Sequence, residues 1–438
     1  MSDDTVDYAS PSTPEPSAER LEQQQQEPPK GALLIIFMIV LADLMGFGLI
    51  IPQLPFYARQ YAASDFQVGL LFSAYSACQL IATPVLGLMS DRFGRRPVLV
   101  LSQVGSVLGF ILLAFATHAV WVGATLGLLL VYVSRIIDGI SGGNISTAQA
   151  YISDVTTKEN RAKGMGMLGA AFGIGFSIGP AVGGILGHFD PSLPALASAL
   201  FCAIAATLTY FKLPESRNHK PTEAEVWLHP SKFLPILRNG PLVQMQLIFF
   251  VSMGAFVMME TVFAIYLKDT FNYEVGTVGL FFALAGAVII IVQGGLIGRL
   301  SKRFGDWPLV IIGPLFVTGA MVLLAEAGRR HVMPLLIVGV ILNASGRSLQ
   351  TPTLSALISR HSDPRQQGAV FGLFHMLGSL ARALGPLVAG AMYTKMHAGP
   401  FLLAATITLG VTAWTIVLRK QLTGSPADVP TERDAAAA

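Results

Sequence analysis

The sequence has little charge and almost no cysteine. Asp, Glu, Lys and Arg make up only 13% of its 438 residues, whereas 53% are hydrophobic and the mean hydropathy is +0.59. This composition excludes an ordinary water-soluble globular fold. Cys78 and Cys202 both lie in apolar segments, so neither a disulfide framework nor a metal site built on cysteine is expected.

Motifs for covalent chemistry are also missing. The sequence contains no Gly-x-x-x-x-Gly-Lys-Ser/Thr stretch of the kind that holds nucleotide phosphates, which argues against direct use of ATP. No pair of acids, Ser and His set or metal-binding cluster converges on one depth of the apolar segments. We therefore expect no enzyme activity, no cofactor and no bound metal.

Long apolar runs dominate what is present. A helix needs about 20 mostly apolar residues to cross a bilayer, and continuous runs do not fit the alternating pattern of a membrane β-barrel. The fold class predicted is an all-α membrane protein with twelve transmembrane helices. The candidate spans lie near 31–57, 66–90, 97–116, 120–146, 164–188, 192–212, 241–267, 276–300, 307–327, 332–358, 366–393 and 397–418.

Polar segments divide the chain. Residues 1–30 are rich in Pro, Ser, Glu and Gln and do not resemble a cleavable signal peptide; they and residues 421–438 are predicted to be disordered tails. The longest polar interruption, at 213–240, predicts a connector. It would join an N-terminal bundle at 31–212 to a C-terminal bundle at 241–420.

Basic residues fall mainly on one side of the predicted spans. With the N-terminus inside, 21 of the 29 Lys and Arg lie in inner segments, five in outer loops and three inside spans. Cytoplasmic loops carry such an excess, so both termini and the connector are predicted to be cytoplasmic. The bias also explains the pI near 8.8, and no nucleic-acid partner is expected.

Two stretches of the sequence repeat each other. "GLMSDRFGRRPVLV" at 87–100 matches "GRLSKRFGDWPLVI" at 298–311, an offset of 211. "YISDVTTKENRAKGMG" from 151 matches "LISRHSDPRQQGAVFG" from 357, and Gly179-Pro180 matches Gly385-Pro386. The chain is therefore a duplication, which predicts two parallel six-helix bundles. Substrate sites in such folds lie between the repeats, near the middle of the bilayer.

Four motifs in order resemble the major facilitator superfamily, specifically its twelve-helix drug:proton antiporters and their tetracycline-efflux branch. They are "LADLMGFGLIIPQLP" from 41, "GLMSDRFGRRP" from 87, "RIIDGISGG" at 135–143 and "GFSIGPAVGG" at 175–184. The resemblance covers roughly 31–420. It implies proton-coupled export of small amphipathic, drug-like molecules by alternating access, from a bacterial inner membrane. The expected partners are the substrate, protons and the lipid bilayer, and a monomer is expected.

The motif at 87 must end one helix, turn tightly and start the next. Gly94 frees the backbone there, and Pro97 suits a first helical turn. The charged residues anchor the loop at the membrane surface, and the resemblance implies a further role as a latch that ties the two halves together. The residues expected to act in this way are Gly87, Asp91, Arg92, Gly94, Arg95 and Arg96.

Glycine recurs every fourth residue in the motif at 175. Gly175, Gly179, Gly183 and Gly187 form one smooth ridge that lets another helix come close. Pro180 removes a backbone hydrogen bond and predicts a bend. Static packing is one interpretation of this segment, and the resemblance implies another, in which the segment, with Gly184, closes the transport site against leaks.

Charges inside spans are costly and are functional candidates by default. Asp43 and Arg135 lie roughly 18 and 16 Å from the inner surface at 1.5 Å per residue, so they can meet. Asp138, one turn from Arg135, is a second candidate partner. Because desolvation and a nearby arginine change the proton affinity of a carboxylate in opposite directions, these residues are candidates for proton coupling. Glu260 is the candidate in the second half; permanent ion pairing is the alternative for each acid.

A substrate cavity would need polar and aromatic residues from both halves. The candidates are Phe47, Tyr75, Phe256, Tyr266, Arg347, His375 and Arg382. For each aromatic ring, the alternative is ordinary packing in the core or against lipid. For His375, the alternative is a buried histidine whose hydrogen bonds are satisfied within the protein.

Two positions depart from the tetracycline exporters. Gly109 and Val317 stand where the resemblance leads one to expect acids in the third and ninth spans. The antiporter scaffold is therefore expected with a different substrate chemistry. Two rival functions remain, a proton symporter or facilitator that imports a nutrient and a membrane receptor that does not transport.

Overall fold

A computed structural model describes residues 31–156, 158–216, 236–362 and 367–423, without the side chains at 158–166, 169–170, 172–173, 176–177, 367–368 and 423. The regular elements of these ranges are helices, with no strand among them. The two predicted tails, apart from 421–423, and most of the predicted connector lie outside the described residues.

Fifteen α-helices follow one another along the described chain. Short 3₁₀ turns at Ala119–Val122 and Gly142–Asn144 extend α4 and α5, and a π-helical turn at Val292–Leu296 joins α10 to α11. The α-helices are α1 Ala32–Ile50, α2 Leu54–Gln60, α3 Asp65–Phe93, α4 Arg95–His118, α5 Ala124–Ser141, α6 Ile145–Val155, α7 Lys158–Phe189, α8 Leu193–Lys212, α9 Gly240–Phe271, α10 Val275–Ile291, α11 Ile297–Phe304, α12 Asp306–Arg330, α13 Met333–Arg360, α14 Gln367–Tyr393 and α15 Gly399–Thr423.

Ten helical stretches are long and apolar enough to cross a bilayer, which confirms ten of the twelve predicted spans. The other two, α7 and α13, are 32 and 28 residues long, or about 48 and 42 Å at the helical rise. They stay predicted spans. In α13 the hydropathy is lowered by polar residues such as Asn343, Arg347 and Gln350.

The helices pack as two bundles. In the first half α1 packs on α7 and α8, while α4 packs on α5 and α8; in the second, α12 packs on α13 and α15, while α9 packs on α14 and α15. The halves meet mainly where α3 packs on α14 and α7 packs on α10. Since α10 is the repeat of α3 and α14 the repeat of α7, the duplication relates these two contacts. The predicted all-α fold with two bundles is confirmed.

The repeated motif forms the same turn twice. Gly94 joins α3 to α4 with φ 98° and ψ 154°, and Gly305 joins α11 to α12 with φ 78° and ψ 170°. These are positive φ values that glycine adopts without strain. Pro97 and Pro308 follow in the first turn of the next helix, where a missing N–H costs nothing. The prediction made for Gly94 and Pro97 is confirmed.

Candidate functional site

The two ends of the bundles differ in how the halves meet. We call the end that carries Arg59, Asp65, Asp269 and Tyr393 the sealed face, and the end that carries the turns at Gly94 and Gly305 the connector face.

At the sealed face an arginine joins the two halves. Arg59 of α2 donates to both carboxylate oxygens of Asp269 at the end of α9, and to Asp65 of α3 at 2.7 Å. The Tyr393 hydroxyl donates to Asp269 at 3.1 Å. Burial acts to lower the pKa of the Arg59 guanidinium, but the two carboxylates outweigh it and hold this pKa above its ordinary value. Arg59 therefore stays charged in this contact.

Glycines let the backbones of the two halves touch near the same face. A Cβ added to Gly184 of α7 would lie 2.3 Å from the Cα of Gly279 of α10. At the equivalent crossing of α3 with α14, a Cβ on Gly69 would lie 2.2 Å from the carbonyl oxygen of Pro386, and one on Gly390 would lie 2.6 Å from that of Asp65. Both crossings exclude any side chain at these positions.

The glycine ridge of α7 faces a different helix. A Cβ on Gly175, Gly179 or Gly183 would lie within 3 Å of α1, as close as 2.1 Å to the Leu49 carbonyl at Gly183. The Gln53 amide donates to the Gly183 carbonyl at 2.7 Å and so fixes the register. The predicted close helix approach is confirmed, and its partner is α1. α7 continues through Pro180, and the bend there stays a prediction.

At the connector face the repeated turn is held within the first half. Arg95 pairs with Asp91 at 2.7 Å and with Asp154 at 3.1 Å, and donates to the Ser90 hydroxyl at 2.6 Å. Glu215 accepts from the backbone N–H groups of Arg95 and of the next residue. These contacts keep the start of the connector against the turn.

Three further motif residues lie around the same turn. Arg92 lies over the Phe93 ring, Arg96 donates to the Tyr210 carbonyl, and Gly87 approaches Ser146. These three contacts also lie within the first half. A latch between the halves stays a prediction.

The second copy of the turn uses the opposite charges. Asp306 stands where the first copy has Arg95, and it pairs with Arg360 at 3.1 Å and accepts from the Ser301 hydroxyl. Arg360 in turn stands where the first half has Asp154. The repeat therefore keeps the bridge and exchanges its signs.

Asp43 lies in the middle of α1 with two amide partners. Gln103 of α4 donates to it at 2.9 Å and Asn144 donates at 2.5 Å, while the Cys202 thiol lies 3.9 Å away. The prediction of a contact with Arg135 is wrong for this conformation. Two neutral amides hold the carboxylate, and a different acid holds the arginine.

Arg135 pairs with Asp138, the second partner considered from the sequence. The guanidinium is 1% exposed and lies 3.1 Å from the carboxylate, which also interacts with Ser106. The Phe110 ring lies under the guanidinium, 5.3 Å away. Nε and Nη2 of Arg135 have no hydrogen-bond partner among the described residues. The arginine thus has spare donors on the side away from Asp138.

A small cleft lies beside Arg135. It is lined by Arg135, the stacked rings of Phe47 and Tyr75, and the side chains Ile50, Ile51, Leu54 and Phe72. Phe47 and Tyr75 therefore lie next to Arg135, and their part in a substrate cavity stays a prediction.

The second half places a basic cluster opposite. Arg347 of α13 lies over the Phe256 ring at 3.6 Å, and its Nη2 lies 3.2 Å from the Met253 sulfur. Arg382 of α14 donates to Ser379 at 3.1 Å. Glu260 of α9 interacts electrostatically with both arginines. Among the described residues, however, neither arginine has a carboxylate within the 4.0 Å of an ion pair.

The basic cluster faces the first half. The charge of Arg382 acts on the Tyr75 hydroxyl and on the ring of His375, which lies two turns away on the same face of α14. The His375 side chain is exposed, and its place in a substrate cavity stays a prediction. The structure thus brings together Tyr75, Arg382, Glu260, Arg347 and Phe256 from the two halves.

Tyr266 does not belong to this group. It is 2% exposed, its hydroxyl donates to the Leu324 carbonyl at 2.5 Å, and its ring packs on Phe401. The prediction that it lines the cavity is wrong, because α9 turns this ring into the core of the second bundle.

The residues that hold Asp43 and the ion pair at the sealed face were not predicted from the sequence. Gln103 is a lone amide in an apolar segment, and Asn144 directly follows the "RIIDGISGG" motif, so both carried a usable signal. Arg59 and Asp269 are 210 positions apart in the chain. No local pattern connects them.

Comparisons with known proteins agree on the family. A family model of the Major Facilitator Superfamily matches residues 36–328 and 294–437. The chain is 30% identical over 396 residues to the tetracycline resistance protein of class B from Escherichia coli, covering 89% of this chain and 94% of that one. It is 27% identical to multidrug resistance protein 2 of Bacillus subtilis (strain 168), covering 88% and 96%.

A solved structure extends the comparison to the fold. The human organic anion transporter MFSD10 (TETRAN) is 25% identical in sequence, with a TM-score of 0.66 over 89% of this chain and 100% of that one. Similarity therefore spans both halves of the chain.

Proposed function

Because this chain belongs to the Major Facilitator Superfamily, we propose that it exports small amphipathic organic molecules in exchange for protons. It is an integral, multi-pass membrane transporter of small molecules and not an enzyme. Its relatives are named for tetracycline resistance, multidrug resistance and organic anion transport. Two of these names refer to drug resistance and one to transport of an organic anion, and they differ in the compound concerned.

The observation that carries the proposal is the set of carboxylates inside membrane-spanning helices. Asp43, Asp138 and Glu260 lie in α1, α5 and α9, which are long and apolar enough to cross the bilayer. Such charges are expensive in a membrane and are retained where they do work. A carboxylate that exchanges its partners as the helices move can bind a proton on one side of the membrane and release it on the other.

Contacts at one face support alternating access. Arg59 and the four crossing glycines join the two halves at the sealed face. These contacts must separate if a substrate is to pass on that side.

Proteoliposomes test the proposal. The purified full-length chain is reconstituted, and accumulation of a panel of amphipathic compounds is measured with and without an imposed pH gradient, and again after a protonophore. We expect accumulation that follows the gradient and is lost with the protonophore. Accumulation along with the proton would instead identify a symporter, and equilibration without a gradient a facilitator. Absence of movement for every compound would contradict a transport function for this panel.

The orientation is part of the same proposal. The excess of Lys and Arg lies at the connector face, which we place in the cytoplasm of a bacterial inner membrane. Cysteines placed at Ser12, His219 and Ser425 should resist labelling from outside intact cells. Ready labelling would contradict this orientation. We further propose that the transporter acts as a monomer in the lipid bilayer and that it does not bind nucleic acid.

A further inference from the structure

The central region of the second half has more positive than negative charge. Arg347 and Arg382 lie in helices α13 and α14, and Glu260 is the acid that interacts with both. In the first half, by contrast, Arg135 has its own carboxylate at 3.1 Å. Arg347 and Arg382 thus both interact electrostatically with Glu260, but neither forms an ion pair with it.

Among the described residues, the contacts of these arginines include no ion pair. Arg347 has as its nearest acceptor a thioether sulfur, which is a weak one. Arg382 donates to a hydroxyl one turn away on its own helix. A guanidinium carries five donors in a planar fork that suits carboxylates, sulfonates and phosphates. Leaving such donors unpaired in a transmembrane region costs free energy that an anion would recover.

Aromatic rings lie next to the arginines. Phe256 packs under the Arg347 guanidinium, and across the interface Tyr75 is stacked on Phe47 with ring centroids 4.8 Å apart. A ligand that reached the arginines from the cleft beside Arg135 would therefore also meet these rings, which favour a flat apolar body.

We propose that Arg347 and Arg382 bind the anionic group of the transported molecule, and that its aromatic or apolar body contacts Phe256, Tyr75 and Phe47. The substrate class is thus an amphipathic organic anion. This inference rests on the proposed transport function and specifies its substrate. Glu260 is the resident competitor for the same arginines, because its carboxylate and the ligand's anionic group have the same charge.

Three probes that share one ring system test the proposal. They are naphthalene-2-sulfonate, a permanent anion; 2-naphthamide, which is neutral; and a trimethylammonium derivative of naphthalene, a permanent cation. Binding to the purified full-length chain is measured by isothermal titration calorimetry. The sulfonate should bind more tightly than the amide, and the cation least tightly.

Substitutions then test which residues cause the preference for the anionic probe. Arg347→Gln and Arg382→Gln should each weaken binding of the sulfonate by about tenfold to hundredfold, the usual effect of losing a hydrogen bond to a charged group, and leave the amide unchanged. Glu260→Gln should strengthen binding of the sulfonate, since it removes the competing charge. Arg329→Gln is the matched control, because Arg329 is exposed and pairs with Glu326. It should change nothing.

Several outcomes would overturn the anion site. Among them are a cation that binds as tightly as the sulfonate, absence of sulfonate binding, and loss of all three probes together in stable arginine variants. Where a Gln variant melts early, Arg347→Lys and Arg382→Lys decide, since they keep the charge and should keep the preference for the anion. Failure of the site is distinguishable from failure of transport, because accumulation of the compound panel under a pH gradient is measured on the same protein.

Discussion

The two halves of the molecule share a fold and exchange their charges. At the connector face the first half carries two acids and one base, and the second half carries two bases and one acid at the matching positions. The matching sets are Asp91, Arg95 and Asp154 against Lys302, Asp306 and Arg360. In the middle of the membrane the halves also differ, although not at matching positions: the first has Asp43, Arg135 and Asp138, and the second has Glu260, Arg347 and Arg382.

The comparison shows which features both halves of a duplicated chain keep and which features differ between them. Helix packing needs only shape, so both copies keep the glycine turn and the glycine crossings. The two sets in the middle of the membrane have opposite surplus charge and would attract each other. On the functions proposed above, the acids of the first half would serve proton coupling and the arginines of the second half would serve anion binding.

The largest effect should follow from Asp43→Asn, which removes the acid surplus of the first half. Gln103 and Asn144 hold Asp43, and the Arg135–Asp138 pair does not depend on it, so the variant should fold. Accumulation driven by a pH gradient should fall to the level of empty liposomes, because the amide cannot carry a proton. Probe binding should persist. A folded variant that still concentrates substrate would assign coupling to Asp138 or Glu260.

Next comes Asp138→Asn, compared with Glu260→Gln. The first change leaves Arg135, which is 1% exposed, buried without a counter-charge, a loss of about 3–5 kcal/mol in soluble proteins. The second change leaves Arg347 and Arg382, neither of which forms an ion pair with Glu260, and should cost less. Melting temperatures in detergent measure both. Equal decreases in melting temperature would show that Asp138 and Glu260 contribute equally to stability.

A smaller effect is expected at the repeated turn. Arg95→Gln removes two carboxylate contacts and should cost about 1–3 kcal/mol, more than Asp306→Asn, whose partner Arg360 is 69% exposed. The double variant Arg95→Asp with Asp154→Arg copies the signs of the Asp306–Arg360 pair. It should recover part of the melting temperature lost in Arg95→Gln. If the melting temperature does not recover, the Arg95–Asp154 ion pair depends on neighbouring residues and cannot be reversed in sign.

The smallest change in stability should come from Arg59→Gln at the sealed face. The Arg59 side chain is 30% exposed, and such pairs contribute about 0.2–1 kcal/mol. That amount is still enough to move an equilibrium between two conformations several-fold. A cysteine at Ala63 should react faster with a water-soluble maleimide in the variant than in the parent. Equal rates would remove Arg59 from control of this face.

The sequence predicted the fold well because its signals are local. Apolar length, the glycine and proline of the turn at 94–97 and the four-residue spacing of the ridge each depend on neighbours in the chain. The partner of Asp43 was not predictable in this way. Depth along a helix placed Asp43 and Arg135 at a similar level, but rotation about the helix axis decided that Asp43 faces Gln103 and Arg135 faces Asp138.

The same limit applies to the cleft. Tyr75 and Tyr266 are both rings in apolar spans, and only packing distinguishes the one beside the cleft from the one in the core. Gly184 and Gly183 are adjacent, yet one touches the other half and the other touches α1. A helix turns about 100° at each residue, so neighbours in sequence serve different interfaces.

The glycine crossings have a thermodynamic consequence. At Gly184 with Gly279 and at Gly69 with Gly390 the halves touch through backbone, so separation there uncovers little apolar side-chain surface. The heat capacity of a transition scales with the apolar area it exposes, and these points contribute little to it. The Arg59–Asp269 contact, in contrast, is partly exposed and is weakened by dissolved ions. The equilibrium for opening the sealed face should therefore depend strongly on ionic strength. Its free energy should show little of the curvature with temperature that burial of hydrophobic surface produces.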